Sequence, residues 1–275
     1  QHRKRFFMTV FQAIALGMIQ GLTEFLPVSS SGHLVLLQHL FGLRQPEIIF
    51  DVAVHLGTLT AVCIYFFPDL IRMFGGLANW IFGGYRQTGL RYAQPEVWLA
   101  FMILAGSVPT AILGLFFHGI ADVLFSSVLL VGCALVGTGI WMWFTRYRTG
   151  AGRDASGLGV LRAILIGIAQ GVAIIPGVSR SGATIAAGLY LGLNRETAAR
   201  YSFLLSIPAI LGAALLSLPE NVSGGTAGLT AILAGAFCAA AVGYAALSFL
   251  VYLVKKGHLF LFAPYCSMVG AVVLM

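Results

Sequence analysis

Long apolar stretches constrain this chain more than any other feature of its sequence. Hydrophobic residues make up 59% of the 275 positions and charged residues only 9%, against about 25% charged in soluble proteins. So few charges cannot cover a water-exposed surface, which excludes a soluble enzyme, a nucleic-acid-binding domain and a disordered chain. The sequence therefore predicts an all-α integral membrane protein, with residues 1–275 forming a single membrane domain. Six stretches are long enough to span a bilayer: 48–67, 95–117, 124–145, 200–217, 226–254 and 258–275.

Two further apolar stretches, 6–43 and 160–193, are interrupted in the middle by serine, glycine and proline. The first interruption contains PVSSSGH at 27–33, and the second contains PGVSRSG at 176–182. Irregular backbone at membrane depth is tolerated only where it is buried in protein or lines a wet cavity. We therefore interpret each interrupted stretch as a re-entrant hairpin of two half-helices.

The two interrupted stretches are copies of each other at a constant shift of 150 residues. Nine of the 27 positions from 17 to 43 are identical at this shift, among them Gly17, Gly21, Ser29, Ser31 and Gly32. The chain is thus an internal duplication, with a first repeat at 1–146 and a second at 160–275. Each repeat has one re-entrant hairpin and three full crossings, and because three is odd, the second repeat is expected to be inverted.

The basic residues predict the orientation of this topology. Four lie on one face: Arg3, Lys4, Arg5 and Arg44. Eleven lie on the other: Arg72, Arg86, Arg91, Arg146, Arg148, Arg153, Arg162, Arg195, Arg200, Lys255 and Lys256. The positive-inside rule makes the eleven-residue face cytoplasmic, so both termini are expected outside. Segment 69–94 is expected to be an interfacial cytoplasmic loop.

Arg180 is the only basic residue predicted at membrane depth, and Glu24 is its acidic counterpart on the first hairpin. Ionisable groups at this depth are costly and indicate function, although the two can also pair simply to lock the hairpins together. The surrounding serines and glycines supply more hydrogen-bond donors than one ion pair needs. Helix N-termini, hydroxyls and a guanidinium together suit a phosphate group. We therefore expect phosphate oxygens to contact Ser29, Ser31, Gly32, Ser179, Ser181 and Gly182.

The first hairpin also carries groups that can move protons. His33 can donate a proton or attack phosphorus, since its charge changes near neutral pH. Glu24 can act as a base, or with Gln20 as an oxygen ligand for Mg²⁺ or Ca²⁺. The pair Asp51 and His55, four residues apart on a predicted span, can belong to the site, to a proton path or to a structural contact. We favour a structural or supporting role for that pair.

Both interruptions resemble the signatures of a known family. Residues 20–33 (QGLTEFLPVSSSGH) and 176–184 (PGVSRSGAT) closely resemble the two signatures of the undecaprenyl-diphosphatase family of bacitracin-resistance type. The resemblance covers essentially the whole chain. It implies a multi-pass hydrolase of the bacterial cytoplasmic membrane that converts undecaprenyl diphosphate to the monophosphate and phosphate. Such an enzyme recycles the lipid carrier of peptidoglycan synthesis and confers bacitracin resistance.

The resemblance also implies roles for particular residues. The family's motif residues transfer to Glu24, Ser30, His33 and Arg180, with an acidic or amide residue at Gln20. The family is described as dependent on a divalent cation, but some members carry Glu where this chain has Gln20. The nucleophile stays open between Ser30, His33 and water. The competing function is transport of a polyprenyl phosphate or an anion, because inverted repeats with broken helices are also a transporter architecture. An acid–base pair such as Glu24 and His33 favours hydrolysis, because anion binding alone does not need it.

Overall fold

In the computed structural model the described residues are 8–33, 48–82, 95–120, 124, 127–148, 152–217 and 228–275, and their regular structure is helical without a strand. The helices are α1 (Val10–Phe25), α2 (Ile48–Tyr65), α3 (Phe67–Phe82), α4 (Pro95–His118), α5 (Val128–Trp143), α6 (Val160–Val172), α7 (Arg180–Tyr190), α8 (Arg195–Ser217), α9 (Leu229–Lys255) and α10 (Ala263–Leu274). Residues 30–33 form a further helical turn. The predicted all-α class is confirmed.

Four helices in the described residues are long and apolar enough to cross a membrane, namely α4, α5 with the turn that follows it, α8 and α9. The bent pair α2 and α3, whose axes differ by 74°, raises this number to five if the pair is one span. The chain is therefore a multi-pass membrane protein. In the sixth predicted span, 258–275, a 3₁₀ turn at Leu259–Phe262 continues into the 12-residue α10. Together they form one apolar helical segment, Leu259–Leu274, that is shorter than those four helices, so this span stays a prediction.

The segment predicted as an interfacial loop, 69–94, begins as a helix. Residues up to Phe82 belong to α3, whose exposed side includes Ile71 and Phe74. Its opposite side is tied to α8 by an ion pair between Asp69 Oδ1 and Arg200 Nη2 at 2.5 Å. Residues 83–94 lie outside the described residues, and so do six of the basic positions used for orientation, namely 3–5, 44, 86 and 91.

The two sequence copies pack against each other's helices in a reciprocal way. Helix α1 packs along α9, and α6 packs along α4. A Cβ added to Gly17 on α1 would lie 2.2 Å from the Gly235 carbonyl oxygen, and one added to the equivalent Gly167 on α6 would lie 2.0 Å from that of Gly106. Glycine is therefore required at both crossings, because no side chain fits between backbones this close. The same contact occurs twice, once for each copy.

The core lies between the two interrupted stretches and is centred on α8. Phe25, at the end of α1, packs edge-on against Phe203 with ring centroids 5.9 Å apart. Tyr201 is fully buried and donates a hydrogen bond from its hydroxyl to the Met102 carbonyl at 2.7 Å. A polar atom buried this deeply needs such a partner. These contacts fix α1 and α4 against α8 and so place the residues that follow Phe25.

Candidate active site

The first interruption, at residues 26–29, begins where α1 meets proline. Leu26 closes α1 by donating its N–H to the Leu22 carbonyl at 3.1 Å, and Pro27 then prevents the helix from continuing. Ser29 follows with a φ of 70°, and the helical turn 30–33 starts directly after it. The break therefore presents Ser30 and Ser31 immediately after a sharp change in chain direction.

The second interruption, at residues 173–179, is closed by a glycine turn and a serine cap. Gly177 has a φ of 94°, and a Cβ at this position would lie 2.5 Å from the Val131 carbonyl oxygen. Ser179 caps α7 by accepting a hydrogen bond at Oγ from the Gly182 N–H at 3.1 Å. Helix α7 therefore begins at Arg180, which places the guanidinium at the positive end of the helix dipole.

Glu24 is the centre of the hydrogen-bond network that joins the two interruptions. Its buried carboxylate accepts from Gln20 Nε2 at 3.0 Å and from Ser30 Oγ at 2.8 Å, both at Oε2. Its other oxygen, Oε1, forms an ion pair with Arg180 Nη2. The ion pair between Glu24 and Arg180, which the sequence left open as an alternative, thus occurs, and Ser30 shares the carboxylate with the arginine.

Arg180 keeps one nitrogen for another acceptor. Its Nη1 is buried and has no hydrogen-bond partner within the described part of the chain. An unpaired buried donor on a guanidinium is costly unless a ligand satisfies it. In the first interruption, Ser29 and Ser31 approach each other at 3.5 Å between their Oγ atoms, and in the second their sequence equivalents Ser179 and Ser181 do so at 3.3 Å. The two interruptions thus offer several hydroxyl donors and one unpartnered guanidinium nitrogen, which are groups that suit an anion.

All of these groups except Gln20 and Ser181 line a cavity of about 810 Å³, and they form its polar end. The remainder of the cavity is lined mainly by the C-terminal halves of α4 and α8, including Leu115, Phe117, Ile210 and Leu215. An amphipathic ligand with a phosphate head and a hydrocarbon tail suits such a lining. Of the predicted site residues, six line the cavity: Glu24, Ser29, Ser30, Ser31, Ser179 and Arg180. Five do not: Gln20, Gly32, His33, Ser181 and Gly182.

The His33 ring does not line the cavity. Its Nδ1 lies 2.9 Å from the Ser29 carbonyl oxygen, and its Nε2 lies 2.7 Å from the Tyr265 hydroxyl. Both ring nitrogens are therefore engaged by protein groups in this structure. The predicted catalytic role of His33 stays a prediction, and any direct contact with substrate requires the Tyr265 bond to open.

A second histidine, His55, lies beside Glu24. Its Nε2 is 3.8 Å from Glu24 Oε2, its Nδ1 is 2.8 Å from the Asp51 carbonyl oxygen, and both residues line the cavity. The predicted role for this pair is structural or supporting, and the structure places the pair directly at the site. The spacing of Asp51 and His55 indicates one helix face but not which neighbour that face meets.

The residues around Glu24 offer few ligands for a divalent cation. Within the described ranges, no three side chains of His, Cys, Asp or Glu group together as metal ligands. Gln20 Oε1, however, is buried without a hydrogen-bond partner, on the residue whose amide donates to Glu24. Mg²⁺ commonly uses one or two protein ligands together with water and substrate phosphates. Gln20 and Glu24 therefore fit a cation that a diphosphate helps to hold, and the metal assignment stays a prediction.

The fold and the site define a multi-pass membrane protein in which two broken helical stretches bring a carboxylate, a serine and an arginine to one end of an apolar cavity. A profile of the family described as bacitracin resistance protein BacA matches residues 13–272. The chain belongs to this family, as the sequence resemblance implied.

Individual relatives agree with the family match. A protein named undecaprenyl-diphosphatase from Desulfosudis oleivorans is 52% identical over 270 residues, which cover 97% of this chain and 98% of the relative. One of the same name from Desulforapulum autotrophicum is 49% identical over 268 residues, covering 96% and 97%. Another, from Methanosphaera stadtmanae, is 36% identical over 272 residues, with 98% of each chain covered.

Proposed function

We propose that this chain is a membrane phosphatase that hydrolyses undecaprenyl diphosphate to undecaprenyl phosphate and inorganic phosphate. One observation carries the proposal. At the polar end of an apolar cavity, Ser30 Oγ lies 2.8 Å from a Glu24 carboxylate that also pairs with Arg180. A cleaved diphosphate needs a cation on its oxygens, a nucleophile and a proton acceptor, and these three residues supply them. The names of the relatives support the same substrate.

The division of tasks follows from the contacts. Arg180 uses its unpartnered Nη1 and the α7 N-terminus to bind the oxygens of the terminal phosphate and the charge that develops on them. Glu24 is placed to accept the proton of the attacking hydroxyl through Oε2. A divalent cation held by Gln20 and Glu24 would neutralise diphosphate charge when bound.

Two routes use these same groups. In the first, Ser30 Oγ bonds to the terminal phosphorus and passes its proton to Glu24, the anhydride bond breaks, and undecaprenyl phosphate leaves; water then cleaves the phosphoserine. In the second, a water molecule next to Ser30 attacks the terminal phosphorus and gives a proton to Glu24, the anhydride bond breaks, and undecaprenyl phosphate and inorganic phosphate leave. Because both His33 nitrogens are engaged, the geometry favours Ser30 or water over His33 as the nucleophile.

The inverted-repeat topology belongs to the same proposal. The swapped packing of α1 on α9 and of α6 on α4, with equivalent glycines at both crossings, supports two copies related by a pseudo-two-fold axis. We further propose that the termini and the cavity opening face the outer side of the bacterial cytoplasmic membrane. Diphosphate released there by glycan polymerisation would reach the site directly.

The proposal is tested by phosphate release from undecaprenyl diphosphate by the purified full-length protein in detergent and in lipid vesicles. Wild-type protein should release phosphate, and Ser30→Ala should release far less. Ser248→Ala is the matched control, because Ser248 is a serine on α9 whose hydroxyl bonds only its own helix, at the Tyr244 carbonyl. Absence of phosphate release, together with movement of labelled lipid diphosphate across the vesicle membrane, would contradict hydrolysis and support the transporter alternative.

A further inference from the structure

We propose that Tyr265 and His33 form a clamp that holds Ser29 in its left-handed backbone conformation and thereby positions Ser30 beside Glu24. The clamp is built from both halves of the chain. Tyr265, on α10, contacts His33 through its hydroxyl at 2.7 Å from Nε2, and the two rings stack with planes 15° apart. The inference rests on the proposed phosphatase function, since it assigns positioning residues to that reaction.

The hydrogen bonds of His33 fix the location of its ring proton. Nδ1 lies 2.9 Å from the Ser29 carbonyl oxygen, which can only accept a hydrogen bond. Nδ1 must therefore carry the proton in the neutral ring, and Nε2 is left with a lone pair. The Tyr265 hydroxyl then donates to Nε2. The hydrogen bonds therefore run from the Tyr265 hydroxyl to His33 Nε2 and from His33 Nδ1 to the Ser29 carbonyl oxygen, and each donor has one acceptor.

The second interruption provides an internal comparison for this clamp. Ser179, the sequence equivalent of Ser29, has an ordinary φ of −78°, whereas Ser29 has a φ of 70° and is the one non-glycine residue with positive φ in the described part of the chain. The Ser179 carbonyl accepts from the backbone N–H of Ala183 at 2.8 Å. Ala183 is the equivalent of His33, so the loop that has the imidazole is the loop with the left-handed serine.

The left-handed conformation is disfavoured for a residue with a Cβ and persists only where surrounding contacts impose it. Besides the His33 ring, α10 supplies a second contact, because the buried Cys266 Sγ donates to the Pro27 carbonyl at 3.1 Å. Adjacent residues of α10 thus hold the first interruption on both sides of Ser29. The backbone of Ser29 sets the direction in which the next residue, Ser30, leaves the chain.

Neither Tyr265 nor His33 lines the cavity. Both are therefore positioning residues that act through Ser29 on the contact between Ser30 and Glu24. Losing the clamp should slow the chemical step while leaving the anchoring of phosphate by Arg180 intact. This distinguishes the clamp from a residue that binds substrate, whose loss would raise KM.

Kinetics of Tyr265→Phe test the clamp, because this change removes the hydroxyl and keeps the ring. We expect kcat to fall about tenfold, which is the change in rate that corresponds to the free energy of one ordinary hydrogen bond, with little change in KM. Tyr252→Phe, the same change on the exposed side of α9, is the control and should leave both constants unchanged. In a Ser29→Gly background the left-handed backbone costs little, so there Tyr265→Phe should lose most of its effect.

Nitrogen NMR of protein labelled at histidine tests the clamp without an activity assay. The His33 signals, identified by their absence in His33→Ala, should show the proton on Nδ1 and an Nε2 shift that changes in Tyr265→Phe. A proton on Nε2 would overturn the clamp, as would an unchanged kcat in Tyr265→Phe or an equal loss in the Ser29→Gly background. If wild-type protein released no phosphate, the proposed function would fail while the NMR result still decided the clamp.

Discussion

At the scale of single residues, the site is organised by one carboxylate that joins the two interruptions. Glu24 holds Arg180 through one oxygen and Ser30 through the other. The sequence predicted that both residues belong to the site and left their pairing open as an alternative, because Glu24 and Arg180 are ionisable groups at membrane depth in equivalent loops. It did not predict that His33 turns toward Tyr265 or that His55 lies 3.8 Å from Glu24, because both depend on how distant helices face one another.

Arg180→Lys should lose most activity although the charge is kept. The carboxylate of Glu24 already occupies one guanidinium nitrogen, and Nη1 remains for phosphate. The ammonium group of lysine is a point charge and cannot hold both the Glu24 carboxylate and a phosphate oxygen in the same fixed geometry. We expect kcat/KM to fall about 10- to 100-fold, the value of a hydrogen bond to a charged group.

Steady-state phosphate release compares this variant with Arg72→Lys, a matched change at an exposed arginine of α3. The control should retain wild-type kcat/KM. Near-native turnover by Arg180→Lys would mean that Arg180 contributes only bulk charge or structural pairing.

At the scale of helices, close glycine crossings hold the two broken stretches in place. The positions of the breaks could be predicted, because Pro27, Pro176 and Gly177 cannot continue a helix without cost. The 3₁₀ turn in the last predicted span and the helical form of α3 could not be predicted. Hydropathy counts apolar residues, but a turn such as Leu259–Phe262 depends on how the chain packs around it.

Gly167→Ala should destabilise the fold, because its Cβ would lie 2.0 Å from a backbone oxygen of α4 that cannot move aside alone. Gly17→Ala should act similarly at the equivalent crossing of α1 with α9. Overpacking of this kind costs about 1–3 kcal/mol, more than the roughly 1 kcal/mol that alanine gains over glycine in a helix.

Thermal unfolding of the purified variants in detergent checks this expectation. Gly137→Ala on α5 is the control, because a Cβ at this position meets nothing within 4 Å. This variant should have a midpoint of thermal unfolding equal to or higher than that of the wild type. Unchanged midpoints for both Gly17→Ala and Gly167→Ala would refute the proposed tight crossings.

At the scale of the whole molecule, one site is assembled from residues more than 150 positions apart. The first interruption supplies Glu24 and Ser30, the second supplies Arg180, and α4 with α8 adds the apolar part of the cavity. Sequence identity between the copies predicted that they would meet. The apolar part of the cavity could not be predicted, because the residues that line it cannot be distinguished in the sequence from residues that face lipid.

The orientation of the site in the membrane makes a separate prediction. A cysteine at position 30, in a chain whose four native cysteines are replaced by alanine, should react with a membrane-impermeant thiol reagent added outside intact cells. The first hairpin is expected to enter from the side that carries both termini. A cysteine at the exposed position 74 of α3 is the opposite control and should be protected until the cells are opened. Labelling of position 30 only in opened cells would reverse the proposed orientation.

We propose that the first interruption acts on the diphosphate while the second holds it. The most direct measurement compares the affinity for undecaprenyl diphosphate and the kcat of His33→Ala and Arg180→Ala. His33→Ala should lose turnover and keep most affinity, because phosphate is anchored by Arg180 and the α7 N-terminus. Arg180→Ala should lose both, because the guanidinium contributes to ground-state and transition-state binding alike. Equal losses of affinity in the two variants would contradict the claim.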